Sequence, residues 1–163
     1  MLDCEPQGLP LVARGCGGGI GEAYAKGLAG QGARVVIAEI DRERAERVAG
    51  EIVKAGGEAI AVPIDVTDTA SVRDAVQDVT AQFGAIEVVV NNAGWDDFMP
   101  FLKTTEDFWD RILDINFKGA LRVCHTVVPG MVERGFGRVV NIGSDAGRVG
   151  SSLEAVYSGA KGG

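Results

Sequence analysis

Residues 14–21 read Arg14-Gly15-Cys16-Gly17-Gly18-Gly19-Ile20-Gly21, between a short apolar run at Leu11–Ala13 and a segment of helical character from about Gly21 to Gly30. A glycine-rich turn between a strand and a helix tightens the chain reversal, lets backbone approach a pyrophosphate, and seats the helix on the sheet. Gly15, Gly19 and Gly21 are the candidates for those three tasks. On its own the pattern describes a flexible loop equally well. What favours a dinucleotide site is the next segment, Arg-Val-Val-Ile-Ala-Glu at 34–39, a β-branched strand closed by an acid. Glu39 lies 39 − 21 = 18 residues past the last loop glycine. That is close to the spacing of about 20 at which a carboxylate meets the adenosine ribose. A carboxylate there repels a 2′-phosphate, so NAD is favoured over NADP, with Arg42 as a nearby cation of opposite tendency.

Outward from this unit the chain keeps alternating strand and helix. Asp41 is placed to cap a helix through Ala45, Val48 and Ile52 that ends at Gly56-Gly57. Strands are expected at 59–63, 88–91 and 138–142. Val72, Ala75, Val76, Val79 and Phe83 fall at helical spacing within 69–83, one long helix is expected from about Thr105 to Glu133, and another begins near Glu154. Such alternation predicts an α/β domain, 1–163, with a parallel sheet covered on both faces.

Composition removes several classes. With 46% hydrophobic and 24% charged residues the chain has the makeup of a packed domain. A net charge of −7 argues against nucleic acid, which requires a basic face. An anionic dinucleotide remains compatible, because helix N-terminal N–H groups supply positive potential locally. Residues 1–10 have no basic start and no apolar run, so no signal peptide is expected, and no stretch reaches membrane-spanning length. Cys4, Cys16 and Cys124 lack metal-ligand spacing and point to a reducing cytoplasm. His125, the single histidine, leaves no multi-histidine metal site; it is expected to pack in its apolar helix, and Cys124 to be core.

Four motifs together resemble the short-chain dehydrogenase/reductase family in its shorter form. Residues 14–21 match its T-G-x-x-x-G-x-G loop, with Arg14 in place of threonine. Asn91-Asn92-Ala93-Gly94 matches N-N-A-G; Ser144 with Tyr157-x-x-x-Lys161 matches the catalytic pattern; Asn116 falls at its fourth member. The resemblance implies a Rossmann-type doubly wound parallel sheet of about five strands, ordered 3-2-1-4-5. It also implies hydride transfer between NAD(P) and a small alcohol or ketone. Cofactor contacts are then expected from Gly15, Gly18, Gly19, Ile20, Gly21, Glu39, Asp65, Val66, Asn91, Ala93, Gly94, Tyr157 and Lys161, with Asp65 near the adenine and Lys161 on the nicotinamide ribose. A narrower similarity, in Asn92–Asp96, Pro100–Thr104 and Arg148–Ser152, is to members acting on alicyclic acyl-CoA thioesters, which adds an acyl-CoA as a candidate substrate. Family members continue well past the equivalent of Lys161 and form homo-oligomers. The chain is therefore expected to be a truncated, cofactor-binding half, with strand five left as an edge and slow or no turnover of its own.

The residue types suit this chemistry. A free phenol ionises only near about pH 10, too high for a base at neutrality. Lys161 follows Tyr157 by one helical turn, so both share a face, and an ammonium beside a phenol favours the phenolate. Ser144, on the loop after the fifth strand, is placed to orient a substrate oxygen. Asn116 lies on an apolar stripe with Ile112, Ala120, Val123 and Val127, where an unpaired amide is costly. It either caps a backbone irregularity or joins a proton relay. Trp95–Phe98 and Asp145–Ser152 border the expected site, as substrate contacts or as covers of the sheet edge. Pro10, in an opening strand expected to be central, removes a ladder hydrogen bond.

Overall fold

The computed structural model describes residues 10–15 and 17–163, with side chains from Gly15 onward. The expectations for Cys4, for Cys16 and for the Arg14 side chain lie outside the described part. The strands are β1 (Pro10–Arg14), β2 (Arg34–Glu39), β3 (Glu58–Pro63), β4 (Val88–Asn91) and β5 (Arg138–Asn141). All pair in parallel, in the order β3-β2-β1-β4-β5. Pro10 is tolerated in the central strand because it stands first: it lies opposite Arg34 of β2, while the pairing with β4 begins at Leu11.

The connecting helices are α1 (Gly19–Ala29), α2 (Arg42–Lys54), α3 (Thr69–Phe83), α4 (Glu106–Leu113), α5 (Gly119–Glu133), α6 (Ala146–Val149) and α7 (Ala155–Gly162). Period-two alternation in β2 builds two cores at once. Val35 and Ile37 pack with Ala25 of α1 and Val48 and Ile52 of α2, whereas Val36 and Ala38 pack with Val72 and Val79 of α3 and Val123 and Val127 of α5. The Asp41 carboxylate accepts the Arg44 N–H at 3.1 Å, the cap expected for α2. Asp68 does the same for α3, accepting from Ala70 N–H at 2.8 Å.

Three expectations need correction. The long helix from Thr105 to Glu133 is interrupted: Asp114–Lys118 forms a π turn, in which Gly119 N–H reaches back to the Asp114 carbonyl. His125 is exposed, because it lies off the buried Gly119–Val123–Val127–Met131 stripe of α5. Cys124 is only part-buried and accepts a hydrogen bond from Asn91 Nδ2 at 3.5 Å. Strand β5 is an edge among the described residues, exposed along its whole length.

Candidate active site

A cleft of about 960 Å³ opens at the carboxyl ends of β1 to β4, where the strand order reverses between β1 and β4. Open α/β sheets bind ligands at this switch point, and the volume is that of a cofactor site. Its wall includes Gly15, Gly18, Gly19, Glu39, Asp65, Val66, Ala93 and Gly94, each at the carboxyl end of a strand or in the turn that follows it. Gly15 has φ +66°, and a Cβ there would stand 2.7 Å from the Ala93 Cα, so only glycine lets the β1 turn close on the β4 turn. Beside Gly18 and Gly19 there is open space. Helix α1 begins there with no side-chain cap, so its positively polarised N-terminus borders the cleft and suits a pyrophosphate. These residues fit a dinucleotide.

Glu39 closes the far end. Its Oε2 accepts the Gly17 N–H at 3.1 Å and its Oε1 the Ile40 N–H at 3.0 Å, which fixes the carboxylate at the tip of β2. Of the two arginines at the start of α2, Arg44 and not Arg42 lines the cleft. Arg42 turns outward and pairs with Glu46 at 2.7 Å. The Asp65 carboxylate accepts from Thr67 N–H at 2.8 Å and Thr67 Oγ1 at 2.7 Å, an Asx turn that holds it in the wall.

Of the expected contacts near the ends of β1 and β4, three lie elsewhere. Ile20 is 67% exposed and outside the cleft wall, and Gly21 lies on the buried face of α1. Asn91 is buried in the sheet, where its Nδ2 donates to Asn141 Oδ1 at 2.8 Å. Its neighbour Asn92 lines the cleft instead and donates to the Gly15 carbonyl at 3.0 Å. The sequence expectation missed Asn92, although it sits inside the quoted motif. Thr67, Arg44 and Arg111 also line the cleft and had no distinguishing signal.

At the other end, Lys161 Nζ stands 5.9 Å from the Tyr157 ring centroid and donates to the Ile142 carbonyl at 2.5 Å. Partial burial holds its pKa below the usual lysine range. Lys161 shares a hollow of about 490 Å³ with Ser144, whose Oγ accepts the Ala146 N–H at 3.2 Å. Tyr157 faces a separate small hollow with Asp96 and Glu154, so the three groups do not share one cavity.

Asn116 sits on the π turn. Its Nδ2 donates to the Ile112 carbonyl at 2.9 Å, the acceptor that an α-helix would have given to Asn116 N–H. The same amide donates to Trp95 O at 2.6 Å, and Oδ1 accepts Trp95 N–H at 3.2 Å. Of its two readings, capping an irregularity is thus observed. Trp95 in turn packs edge-on against Phe108, lies 3.8 Å under the Arg111 guanidinium and lines the cleft, while Phe98 stays 69% exposed. Among the described residues no helix is long and apolar enough to cross a membrane, and no cluster of three or more His, Cys, Asp or Glu side chains is placed to hold a metal.

The family described as "short chain dehydrogenase" matches residues 11–163. Sorbitol dehydrogenase of Cereibacter sphaeroides is 37% identical over 94% of the chain, and galactitol 2-dehydrogenase of Agrobacterium fabrum 39% over 90%. The chain spans 59% and 57% of those two relatives. A crystal structure of a metagenomic short-chain oxidoreductase in complex with NADP superposes with a TM-score of 0.91 at 33% identity, covering 96% of this chain and 72% of the other. A match that begins inside β1 and runs to the last residue, on a sheet with this strand order, places the chain in the short chain dehydrogenase family.

Proposed function

We propose that the chain is the cofactor-binding and catalytic part of an oxidoreductase that moves a hydride between NAD and a small alcohol or ketone. The observation that carries this reading is Lys161 within 5.9 Å of the Tyr157 ring on α7, next to a glycine-lined cleft at the sheet's switch point. A bound nicotinamide supplies the hydride chemistry. Tyr157 exchanges the proton at the substrate oxygen, with the Lys161 ammonium 5.9 Å from its ring. Ser144 orients that oxygen, and Asn116 holds the loop that leads from β4 to the site. Relatives named for sorbitol, galactitol and D-threitol favour a polyhydroxy alcohol over an acyl-CoA thioester.

For the cofactor, the Glu39 carboxylate in the wall disfavours a 2′-phosphate, supporting NAD. NADP is the second reading, supported by Arg44 on the same wall and by the NADP-bound neighbour. Fluorescence titration with NADH and NADPH decides between them: an NADH preference of about tenfold, abolished by Glu39→Gln, is expected from about 1.4 kcal/mol of repulsion. For the chemistry, Tyr157→Phe in this chain or a longer protein containing it is expected to cut alcohol oxidation about 100- to 10,000-fold with NADH affinity unchanged. Full turnover in that variant would sink the assignment.

A further inference from the structure

Arg47 lies on α2, outside the cleft wall, yet its guanidinium reaches the glycine loop. Nη2 donates to the Gly17 carbonyl at 3.0 Å and to Glu22 Oε2 at 2.7 Å; Nη1 donates to Glu51 Oε1 at 2.9 Å and lies 3.3 Å from Glu22 Oε1. Lys26 completes the network, binding Glu22 at 2.6 Å and Glu51 at 2.5 Å. Arg47 and then Lys26 hold the Glu22 carboxyl down at about 2. Four alternating charges thus tie α1 to α2, and the planar guanidinium has one further N–H direction left for the loop.

That further bond matters because of what peptide geometry imposes. In a trans peptide the carbonyl of one residue and the N–H of the next point in opposite directions. The Gly17–Gly18 unit joins two glycines, so few steric barriers fix its orientation. With its carbonyl drawn toward Arg47, the Gly18 N–H is turned to the opposite side; Gly18 borders the cleft, and a Cβ added there would meet nothing within 4 Å. Glu39 already holds the Gly17 N–H, so both polar groups of Gly17 are fixed from outside the loop.

We propose that Arg47 is a positioning residue for phosphate recognition: by holding the Gly17 carbonyl it aims the Gly18 N–H at the cofactor pyrophosphate. This rests on the cleft being the dinucleotide site proposed above. It also supplies a brace for a loop whose opening position is Arg14 rather than threonine.

The test compares Arg47→Gln with Glu51→Gln, which removes the ion pairs of Glu51 with Arg47 and Lys26 and leaves the Gly17 contact in place. Binding of ADP and of adenosine to the chain is measured by calorimetry, at 0.1 M and 0.5 M NaCl. In Arg47→Gln, ADP is expected to bind about tenfold more weakly and adenosine within about twofold of the parent, with the ADP loss persisting at high salt. Glu51→Gln is expected to match the parent for both. Equal losses for ADP and adenosine, no ADP loss, or an ADP loss that disappears at 0.5 M NaCl would each overturn the proposal. The peptide orientation is read without nucleotide from the Gly18 amide resonance in ¹H–¹⁵N spectra. It is expected to be single in the parent and in Glu51→Gln, and split or exchange-broadened in Arg47→Gln. An unchanged Gly18 signal in Arg47→Gln also overturns the proposal. If Gly18 responds as expected but the parent binds neither ADP nor NADH, the fault lies with the cleft assignment instead.

Discussion

Replacing Asn116 by leucine removes a clamp that involves no other side chain. Its amide makes three hydrogen bonds to backbone: to Ile112 O, to Trp95 O and from Trp95 N–H. Leucine has nearly the same volume but satisfies none of them. At about 1 kcal/mol for each part-buried backbone group left unpaired, the loss is about 3 kcal/mol. For a chain of this length, 1 kcal/mol moves the melting temperature by about 2–4 °C, so Tm should fall by about 6–12 °C. Trp95 also lines the cleft, so loosening it should weaken NADH binding in the same variant. Circular dichroism melts measure the first effect and fluorescence titration the second. Asn116→Asp is the sharper control: its carboxylate still accepts the Trp95 N–H but faces two carbonyls, so it should be no more stable than the leucine variant at neutral pH and should partly recover in acid. If leucine lowers Tm by less than about 2 °C, the clamp is not holding the loop and the reasoning fails.

Gly15→Ala should be damaging for a separate reason: φ +66° costs a side-chain residue about 1–2 kcal/mol, and the new Cβ would meet the Ala93 Cα at 2.7 Å. A lower Tm together with loss of ADP binding is expected, and retention of both would refute the close-approach argument. Asp96 gives a pH signature. Burial, and then the side chain of Glu154, raise its pKa. The folded state therefore holds the proton more tightly, and the stability this group contributes is present below about pH 3.8 and is lost as pH rises through the raised value. Asp96→Asn should melt higher than the parent at pH 7.5, with the gap closing by about pH 3.5; a gap independent of pH would refute the account.

The elements visible in the sequence are those whose cause is local. Val88–Asn91 and the helix from Thr69 to Phe83 were legible because their apolar spacing matches the burial that forms them. The π turn was not, since the periodicity of Ile112, Ala120, Val123 and Val127 runs through it; what supports it is a tertiary bond from Asn116 to Trp95, 21 residues away. The unusual amide on an apolar stripe was the only trace. In the cleft, Glu39 and the loop glycines were legible from spacing. Arg44 was not: two residues beyond Arg42 is a rotation of about 200° around α2, and the fold decides which of the two lines the cleft with Glu39.

The turns that form the site share one device, and it explains how a chain of net charge −7 can present an anion pocket. After β1, Asn92 takes the Gly15 carbonyl and Arg47 takes the Gly17 carbonyl. After β4, Asn116 takes the Trp95 carbonyl, and after β5, Lys161 takes the Ile142 carbonyl. Each of these acceptors is bound by a side chain from another element, so negative dipole ends are occupied at the margins of the cleft. At Gly18 and Gly19 the α1 N-terminus is left without a side-chain cap. Positive potential there comes from backbone orientation rather than from net charge, and it survives the surrounding acids because it acts within one helical turn. Loosening any of these four holds should therefore weaken phosphate binding even where no charge facing the ligand is altered.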